Sequence, residues 1–309
     1  MNVHSLQSKK ANAGGKIDMK IAMNSTATLH CNVVQEIKIA REIGFQGVEI
    51  QIDKLFRYLD AGNRIEQLRP LLGDMEVAAI GALQNIERQG DAHASYIEDV
   101  RKACETASGI GASMVQICTG PSDLSVVQDF HAGVLKDTDT RYRGLLGEPE
   151  DALIERTARN VAEAADIAAD YGLELYIEPL AWVPLCKISQ ALKVIEAAGK
   201  KNVGIVIDFW HMWTTGETPE FVASIPKELI KMVHICDGIR CEPGTIPDQN
   251  VLRDVWTGEG DIPLKRWIDA VKQTGYDGWC STEIFSNRIA EKDPVVTAAT
   301  LKTNFEYML

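Results

Sequence analysis

The chain has 309 residues, of which 45% are hydrophobic and 25% charged, and its formal net charge is −12. This composition is typical of a globular protein, and the length fits either two ordinary domains or one α/β barrel. Such a negative surface repels phosphate backbones and anionic membranes, so the sequence argues against nucleic-acid and membrane partners and allows a small neutral substrate.

The first eighteen residues are polar and include Lys9-Lys10 and Gly14-Gly15. We expect residues 1–18 to form a flexible N-terminal extension, followed by a barrel domain over residues 19–309. The extension lacks the apolar stretch of a secretory signal. The seven cysteines lie mostly inside apolar runs and form no Cys-x-x-Cys pair, which predicts reduced, buried thiols in a cytoplasmic protein.

From Lys20 onward, short apolar runs alternate with segments of helical period. The runs predict eight strands, at Ile21–Met23, Gly47–Gln51, Val77–Ala82, Ser113–Cys118, Leu173–Glu178, Val203–Asp208, Met232–Cys236 and Gly278–Ile284. The clearest helices are predicted at Asp151–Tyr171 and Pro263–Gln273. Eight alternating strands favour a single (β/α)8 TIM barrel over an open doubly wound sheet, and no Gly-x-Gly-x-x-Gly follows the first strand.

Two predicted connections are longer than a barrel requires, Thr119–Glu150 after the fourth strand and Asp237–Ile262 after the seventh. Because both follow strands, both lie at the carboxyl-terminal face of the barrel, where long loops commonly cover an active site. We expect the first to act as a lid. A solvated insertion is the alternative for either loop.

Four consecutive predicted strands carry an acidic or imidazole side chain at their ends. Glu178, Asp208, His234 and Glu283 belong to strands five to eight in that order. A charged group at the end of a buried strand is costly unless something neutralises it. The barrel places these ends on one arc, so three carboxylates and one imidazole predict a divalent-metal site rich in oxygen ligands. Ion pairing or helix capping explains any one of them, but not all four.

Several motifs resemble those of the xylose isomerase-like barrel superfamily, in particular the sugar isomerases and epimerases related to tagatose 3-epimerase and the inosose dehydratases. The motifs are Ile177-Glu178-Pro179, Asp208-Phe-Trp-His211, Val233-His234-Ile-Cys-Asp237, Gly258-Glu-Gly-Asp261 and Trp279-Cys-Ser-Thr-Glu283. The resemblance runs from about Lys20 to the C-terminus. It implies that Glu178, Asp208, His234 and Glu283 bind one Mn, Mg or Co ion.

The chemistry that the resemblance implies is proton transfer at a carbon next to a carbonyl. Removing such a proton at neutral pH needs a base and a cation on the developing enediolate oxygen. By the resemblance, Glu178 and Glu283 would stand on opposite faces of the substrate as the acid–base pair. His211 would bind the substrate rather than the metal, with helix capping or packing as the alternative.

Other residues near the predicted strand ends suit a sugar or cyclitol substrate. Trp182 and Trp210 offer aromatic faces for the C–H faces of a sugar, with packing at the barrel rim as the alternative. Arg240 is a loop cation that could meet a substrate oxygen or be solvated. No phosphate-binding glycine loop occurs, so we expect a non-phosphorylated keto-sugar or related polyol. The oligomeric state stays open, a homo-oligomer included.

The leading interpretation is a metal-dependent isomerase or epimerase that acts through an enediolate. The alternative is a lyase on the same metal site, either an inosose- or dehydroshikimate-type dehydratase or an enzyme that eliminates another β-leaving group. A third interpretation is a barrel whose metal is structural or has been lost, but the presence of all four candidate ligands argues against it. Zinc-dependent apurinic endonucleases share Asp208-x-x-His211 but need histidines after strands three and four, where this chain has Gly81-Ala-Leu-Gln and Cys118-Thr-Gly.

Overall fold

Eight parallel strands close into a barrel in the computed structural model, which describes residues 19–309. Each strand pairs with the next in chain order, and β1 pairs with β8. The strands are β1 Lys20–Asn24, β2 Gly47–Gln51, β3 Glu76–Leu83, β4 Met114–Cys118, β5 Glu174–Glu178, β6 Val203–Asp208, β7 Ile230–His234 and β8 Trp279–Ser281. The predicted (β/α)8 TIM barrel is confirmed. The predicted extension, residues 1–18, lies outside the described residues.

Helices fill the connections between the strands throughout residues 19–309. The α-helices are α1 Val33–Ile43, α2 Ile52–Asp60, α3 Arg69–Leu72, α4 Asp91–Ile110, α5 Leu124–His131, α6 Glu150–Asp170, α7 Ile188–Ala198, α8 Phe209–Thr214, α9 Pro219–Ala223, α10 Gln249–Leu252, α11 Leu264–Thr274, α12 Asn287–Ala290 and α13 Pro294–Met308. Short 3-10 helices lie at Ser25–Thr28, Ile65–Leu68 and Lys227–Leu229. Within the described range, no helix has both the length and the apolarity to cross a bilayer.

Side-chain alternation along the strands directs the candidate site residues into the mouth of the barrel. The interior is packed by a separate apolar cluster, Ala22, Ala78, Ala79, Met114, Tyr176, Val206, Met232 and Trp279. Residues two positions apart on a strand face the same side. Because Val206 and Met232 face the interior, Asp208 and His234 also face inward, each two residues nearer the carboxyl-terminal face.

Two strands end two or more residues earlier than the sequence predicted. β7 ends at His234 rather than at Cys236, and β8 ends at Ser281 rather than at Ile284. Glu283 consequently lies two residues beyond its strand. Its segment stays close to β1, because the Asn24 amide donates to Thr282 Oγ1 at 3.2 Å.

Candidate active site

The four predicted metal ligands meet at the carboxyl-terminal mouth of the barrel. Glu178, Asp208 and His234 are the last residues of β5, β6 and β7, and Asp208 pairs with His234 in register. Glu283 lies two residues after the end of β8. One ligand atom from each residue lies within 4.8 Å of the others, and all four residues are buried. The structure therefore brings together the set that the sequence singled out.

The distances between these atoms suit ligands of a single ion. His234 Nδ1 lies 3.3 Å from Glu178 Oε1, 3.4 Å from Glu283 Oε1 and 3.6 Å from Asp208 Oδ2. Ligands that each lie about 2.1 Å from one ion are separated from their neighbours by roughly 3.0–3.6 Å. His234 Nδ1 and Glu178 Oε1 are buried without a hydrogen-bond partner among the described residues. A metal ion would satisfy both atoms.

The charge of the cluster also favours a cation. Its buried carboxylates are Glu49, Glu178, Asp208 and Glu283. In the described part of the chain, Arg253 is the permanently charged cation in contact with these carboxylates. Burial would lower the pKa of His234, but the carboxylates around it, with Glu49 and Glu283 foremost, hold that pKa well above its usual value. Without metal, His234 therefore holds a proton and supplies the positive charge that the surrounding carboxylates favour.

Glu49, in the middle of β2, lies behind His234 and was missed by the sequence prediction. Its Oε1 accepts hydrogen bonds from His234 Nε2 at 3.0 Å and from the Tyr176 hydroxyl, and its Oε2 accepts from Asn24 Nδ2 at 2.8 Å. Burial would raise the pKa of Glu49, but His234 and these hydrogen bonds lower it to about 2. An ionised carboxylate can only accept, so Glu49 holds a proton on His234 Nε2. Nδ1, which faces the other carboxylates, is the ring atom at which a metal ion would replace the second proton.

Asp208 has a second role as the N-cap of helix α8. Its Oδ1 accepts from the His211 amide at 2.7 Å, which leaves Oδ2 near His234. The cap places the His211 ring beside the segment after β5, where His211 Nδ1 accepts from the Ala181 amide at 2.9 Å. Burial lowers the pKa of His211, so the ring is neutral and carries its proton on Nε2. His211 lines the central cavity and can donate one hydrogen bond there.

Glu178 and Glu283 have unlike surroundings. Glu178 Oε2 accepts hydrogen bonds from Gln116 Nε2 at 2.8 Å and from Cys118 Sγ at 3.3 Å. Glu283 Oε2 accepts from Arg253 Nη2 at 2.5 Å. Burial raises the pKa of Glu283 to about 8, although His234 and Arg253 act to lower it. In the metal-free protein, Glu283 therefore carries a proton at neutral pH.

Arg253, in the connection between β7 and α11, was also missed. Its side chain is buried, and its guanidinium lies against the rings of Trp210 and Phe285 at 5.0 and 4.6 Å from their centroids. It contacts Glu283 closely and Asp208 at 3.8 Å. Its Nε and Nη1 have no hydrogen-bond partner within residues 19–309. Arg253 does not line the cavity, so it would act on the site through Glu283.

A small polar cavity lies at this cluster. Of the residues predicted to form the site, Glu178, Glu283, His211 and Trp182 line it. Other polar lining residues include Asn24, Thr26, Glu49, Gln51, Gln84, Gln116, Ser122 and Gln249. No lysine or arginine belongs to the lining described in the structure.

Two predicted substrate-binding residues lie elsewhere. Trp210 is fully buried, with its ring 4.9 Å from that of His211, and packs below the cavity rather than lining it. Arg240 is exposed, and its guanidinium lies 5.5 Å from the centroid of the Trp213 ring. Neither side chain belongs to the cavity lining, because one packs in the core and the other lies at the surface.

Both long connections contribute to the cavity wall, Ser122 from the first and Gln249 from the second. The second connection is organised by Asp237. Its carboxylate accepts from the backbone amides of Gly238 at 2.8 Å, Gly258 at 2.9 Å, Gly260 at 2.9 Å and Ile262 at 3.3 Å. The Gly258-Glu-Gly-Asp261 motif thus supplies backbone donors that fix this loop.

The family model described as xylose isomerase-like TIM barrel matches residues 37–303. The chain therefore belongs to this family, as its motifs indicate. The inosose isomerase of Bacillus velezensis is 24% identical over 301 residues, covering 93% of this chain and 96% of the relative. The 3-dehydroshikimate dehydratase of Pseudomonas aeruginosa is 23% identical over 265 residues, covering 85% of this chain and 38% of the relative.

Solved structures share the fold. The IolI protein with a bound zinc atom superposes with a TM-score of 0.79 at 20% identity, covering 94% of this chain and 98% of that chain. L-ribulose 3-epimerase superposes with a TM-score of 0.70 at 20% identity, covering 94% of each. The relatives of this chain are isomerases, epimerases and dehydratases, and this chain is an enzyme of the same family.

Proposed function

We propose that this enzyme is a divalent-metal-dependent isomerase or epimerase of a non-phosphorylated keto-sugar or cyclitol. It would move a proton at the carbon next to the substrate carbonyl. The observation that carries the proposal is the convergence of Glu178 and Glu283 with Asp208 and His234 beside a polar cavity. The names of two relatives, inosose isomerase and L-ribulose 3-epimerase, support the same class of reaction.

Glu178, Asp208, His234 and Glu283 would hold the ion, since their ligand atoms are mutually close and two of those atoms lack partners. A divalent ion bound there would polarise a carbonyl oxygen and so acidify the neighbouring C–H bond. Three carboxylates and one imidazole are compatible with Mn, Mg or Co, which remain our expectation. The IolI relative holds zinc, so zinc belongs in any test of metal dependence.

Glu178 and Glu283 would exchange the proton. Gln116 and Cys118 donate to Glu178 Oε2, whereas Glu178 Oε1 has no hydrogen-bond partner among the described residues and could accept a proton. Burial raises the pKa of Glu283 to about 8 in the metal-free protein, and this tendency to hold a proton suits the group that returns one. We therefore assign proton removal to Glu178 and proton return to Glu283.

His211 would orient the substrate, and Arg253 would position Glu283. His211 Nδ1 accepts from a backbone amide, so its Nε2–H remains available to a substrate oxygen. Arg253 does not line the cavity and would act by holding Glu283 through its Oε2. The Trp182 ring, 5.7 Å from the His211 ring between centroids, would cover one side of the substrate.

The cavity favours an uncharged substrate. Its charged lining residues are carboxylates, and the adjacent guanidinium of Arg253 is paired with Glu283. A phosphate or carboxylate would meet negative charge without a free cation, which is unfavourable in a buried site. Neutral inososes and ketoses therefore fit the cavity better than 3-dehydroshikimate, which carries a carboxylate.

A lyase is the second candidate function. Glu283 could deliver the proton to a β-leaving group instead of to carbon, which would give an inosose-type dehydratase or another elimination. Both reactions begin with proton removal by Glu178. The same residues therefore serve either outcome, and product analysis separates them.

The test is incubation of the metal-loaded enzyme in deuterated water with a panel of neutral inososes and ketohexoses, followed by mass spectrometry and NMR. An isomerase or epimerase gives a product changed in mass only by deuterium next to the carbonyl. A lyase gives a product lighter by the leaving group, with new ultraviolet absorbance. Absence of label from every recovered substrate and product would contradict solvent-exchanging proton transfer at this site.

A further inference from the structure

Glu87 is a buried carboxyl outside the candidate active site. It lies in the β3–α4 connection, residues 84–90, and only 3% of its surface is exposed. Neither of its carboxyl oxygens has a hydrogen-bond partner among residues 19–309. A buried carboxyl without partners resists ionisation, and the proposed chemistry does not use this one.

The β4–α6 loop, residues 119–149, closes around this carboxyl. A Cβ at Gly120 would lie 2.5 Å from Glu87 Oε1, and a Cβ at Gly144 would lie 2.6 Å from the same atom. These distances are too short for a side-chain carbon, so glycine at both positions lets the two ends of the loop pack on Glu87. Gly144 also has a φ of 54°, in the left-handed region that favours glycine.

The contact continues to the cavity wall. Two residues from Glu87, the Asn85 side chain accepts from the Ser122 amide at 2.7 Å, and Ser122 lines the cavity. From the opposite side, Asn160 of α6 donates to the Ile86 carbonyl at 2.8 Å and so fixes the connection. The β3–α4 connection is thus fixed by α6 and packs against the loop, and Glu87 lies at the contact with the loop.

Three titratable side chains face Glu87, namely Arg88 of the same connection, Tyr96 of α4 and Tyr142 of the loop. Burial raises the pKa of Glu87 to about 7, although Tyr142, the Gly120 amide and Arg88 act to lower it. Tyr142 and the Gly120 amide affect the carboxyl without reaching full hydrogen-bond geometry. Burial raises the pKa of both tyrosines, so both stay neutral. Glu87 is the member of this group that changes charge near neutral pH.

We propose that Glu87 is a proton-dependent anchor of the β4–α6 loop, whose neutral carboxyl keeps both loop ends packed beside the cavity and whose ionisation loosens them. The pKa of Glu87 in the closed loop is about 7, above the ordinary value of 4.5. Its contribution to closure is therefore complete below about pH 4.5 and is lost as the pH rises through about 7. The inference concerns the loop without substrate, so it does not depend on the proposed activity.

Limited proteolysis with trypsin tests the anchor, because the loop contains Lys136, Arg141 and Arg143. Wild type is compared with Glu87→Gln, which cannot ionise, at equal trypsin at pH 6 and pH 8. If opening returns Glu87 to its ordinary pKa, the ratio of wild-type to variant cleavage rises about tenfold between the two pH values. Glu98→Gln, at an exposed position of α4, should behave as wild type. A ratio that stays constant between pH 6 and pH 8 overturns the proposal.

Gly144→Ala tests the same contact without changing the carboxyl. The added methyl group would press on Glu87, so the loop should be cleaved faster than wild type at pH 6, with the circular dichroism of the barrel retained. Gly133→Ala is the matched control, because Gly133 lies in the same loop with a φ of 68° and has open space around its Cβ position. Cleavage of Gly144→Ala no faster than that of Gly133→Ala would also overturn the proposal.

Discussion

His234 Nε2 lies 3.0 Å from Glu49 Oε1, while the other ring nitrogen of His234 faces Glu178, Asp208 and Glu283 at 3.3–3.6 Å. Glu49 therefore orients the imidazole and fixes its tautomer without lying among the proposed ligands. Metal-binding histidines commonly depend on such a partner for their affinity.

We expect Glu49→Ala to weaken divalent-metal binding by about 10–100-fold, because His234 loses the acceptor that fixes its proton on Nε2. Competition with a chromophoric chelator measures the affinity for Mn, Co and Zn. Glu42→Ala, at an exposed position of α1, is the control. Equal affinities in the two variants would mean that packing alone orients His234.

Metal binding should strengthen as the pH rises and should release protons. Burial raises the pKa of Glu283 to about 8 in the metal-free protein, so an ion must displace that proton at neutral pH. For this group alone, the apparent affinity should rise roughly 20-fold from pH 6.5 to pH 8.5. Calorimetry in buffers of different ionisation enthalpy measures the protons released. An affinity that does not change over this range would show that Glu283 is already ionised without metal.

Glu178→Gln and Glu283→Gln should each abolish most conversion of the substrate to deuterium-labelled product. Each substitution removes a proton-transfer group, for which a loss of about 10²–10⁴-fold is typical. Metal content is measured alongside, so that loss of the ion is distinguished from loss of the acid or base. Glu259→Gln, at an exposed position, should leave the rate of product formation unchanged. Near-normal product formation in either active-site variant with metal bound would rule out the two-glutamate scheme.

Asp237→Asn should destabilise the protein by about 2 kcal/mol or more. Each carboxylate oxygen of Asp237 accepts from two backbone amides, so in either orientation of the asparagine its NH₂ group would face two donors. Urea denaturation gives the change in the free energy of unfolding. Asp261→Asn lies in the same loop at an exposed position, with one hydrogen bond from the Arg240 amide, and should change stability little. Similar values for both variants would contradict the role assigned to Asp237.

The barrel and the convergence of four side chains were predictable because both follow from strand order. Once Glu178, Asp208 and His234 are placed at the ends of consecutive parallel strands, closure of the barrel brings them together. Glu283 fits the same logic less closely, since β8 ends two residues before it. The error did not move Glu283 from the cluster, because the segment after β8 still follows β1.

Glu49 and Arg253 could not be found by the same rule. Glu49 lies inside β2 rather than at its end, although a charged residue within the buried run Gly47–Gln51 was a signal that it needed partners. Arg253 lies in a long connection without periodicity, where sequence does not distinguish it from the exposed Arg240. Its position depends on contacts with Trp210 and Glu283 that only the fold creates.

The pairing of β1 with β8 determines when the site can first exist during synthesis. A growing chain carries Glu178, Asp208 and His234 before β8 has been made. The fourth proposed ligand, Glu283, follows β8 and is positioned only when that strand pairs with β1, where Asn24 contacts both Glu49 and the segment before Glu283. Incomplete chains therefore lack the full proposed ligand set. The complete site can bind its metal ion only after the last strand has paired with the first.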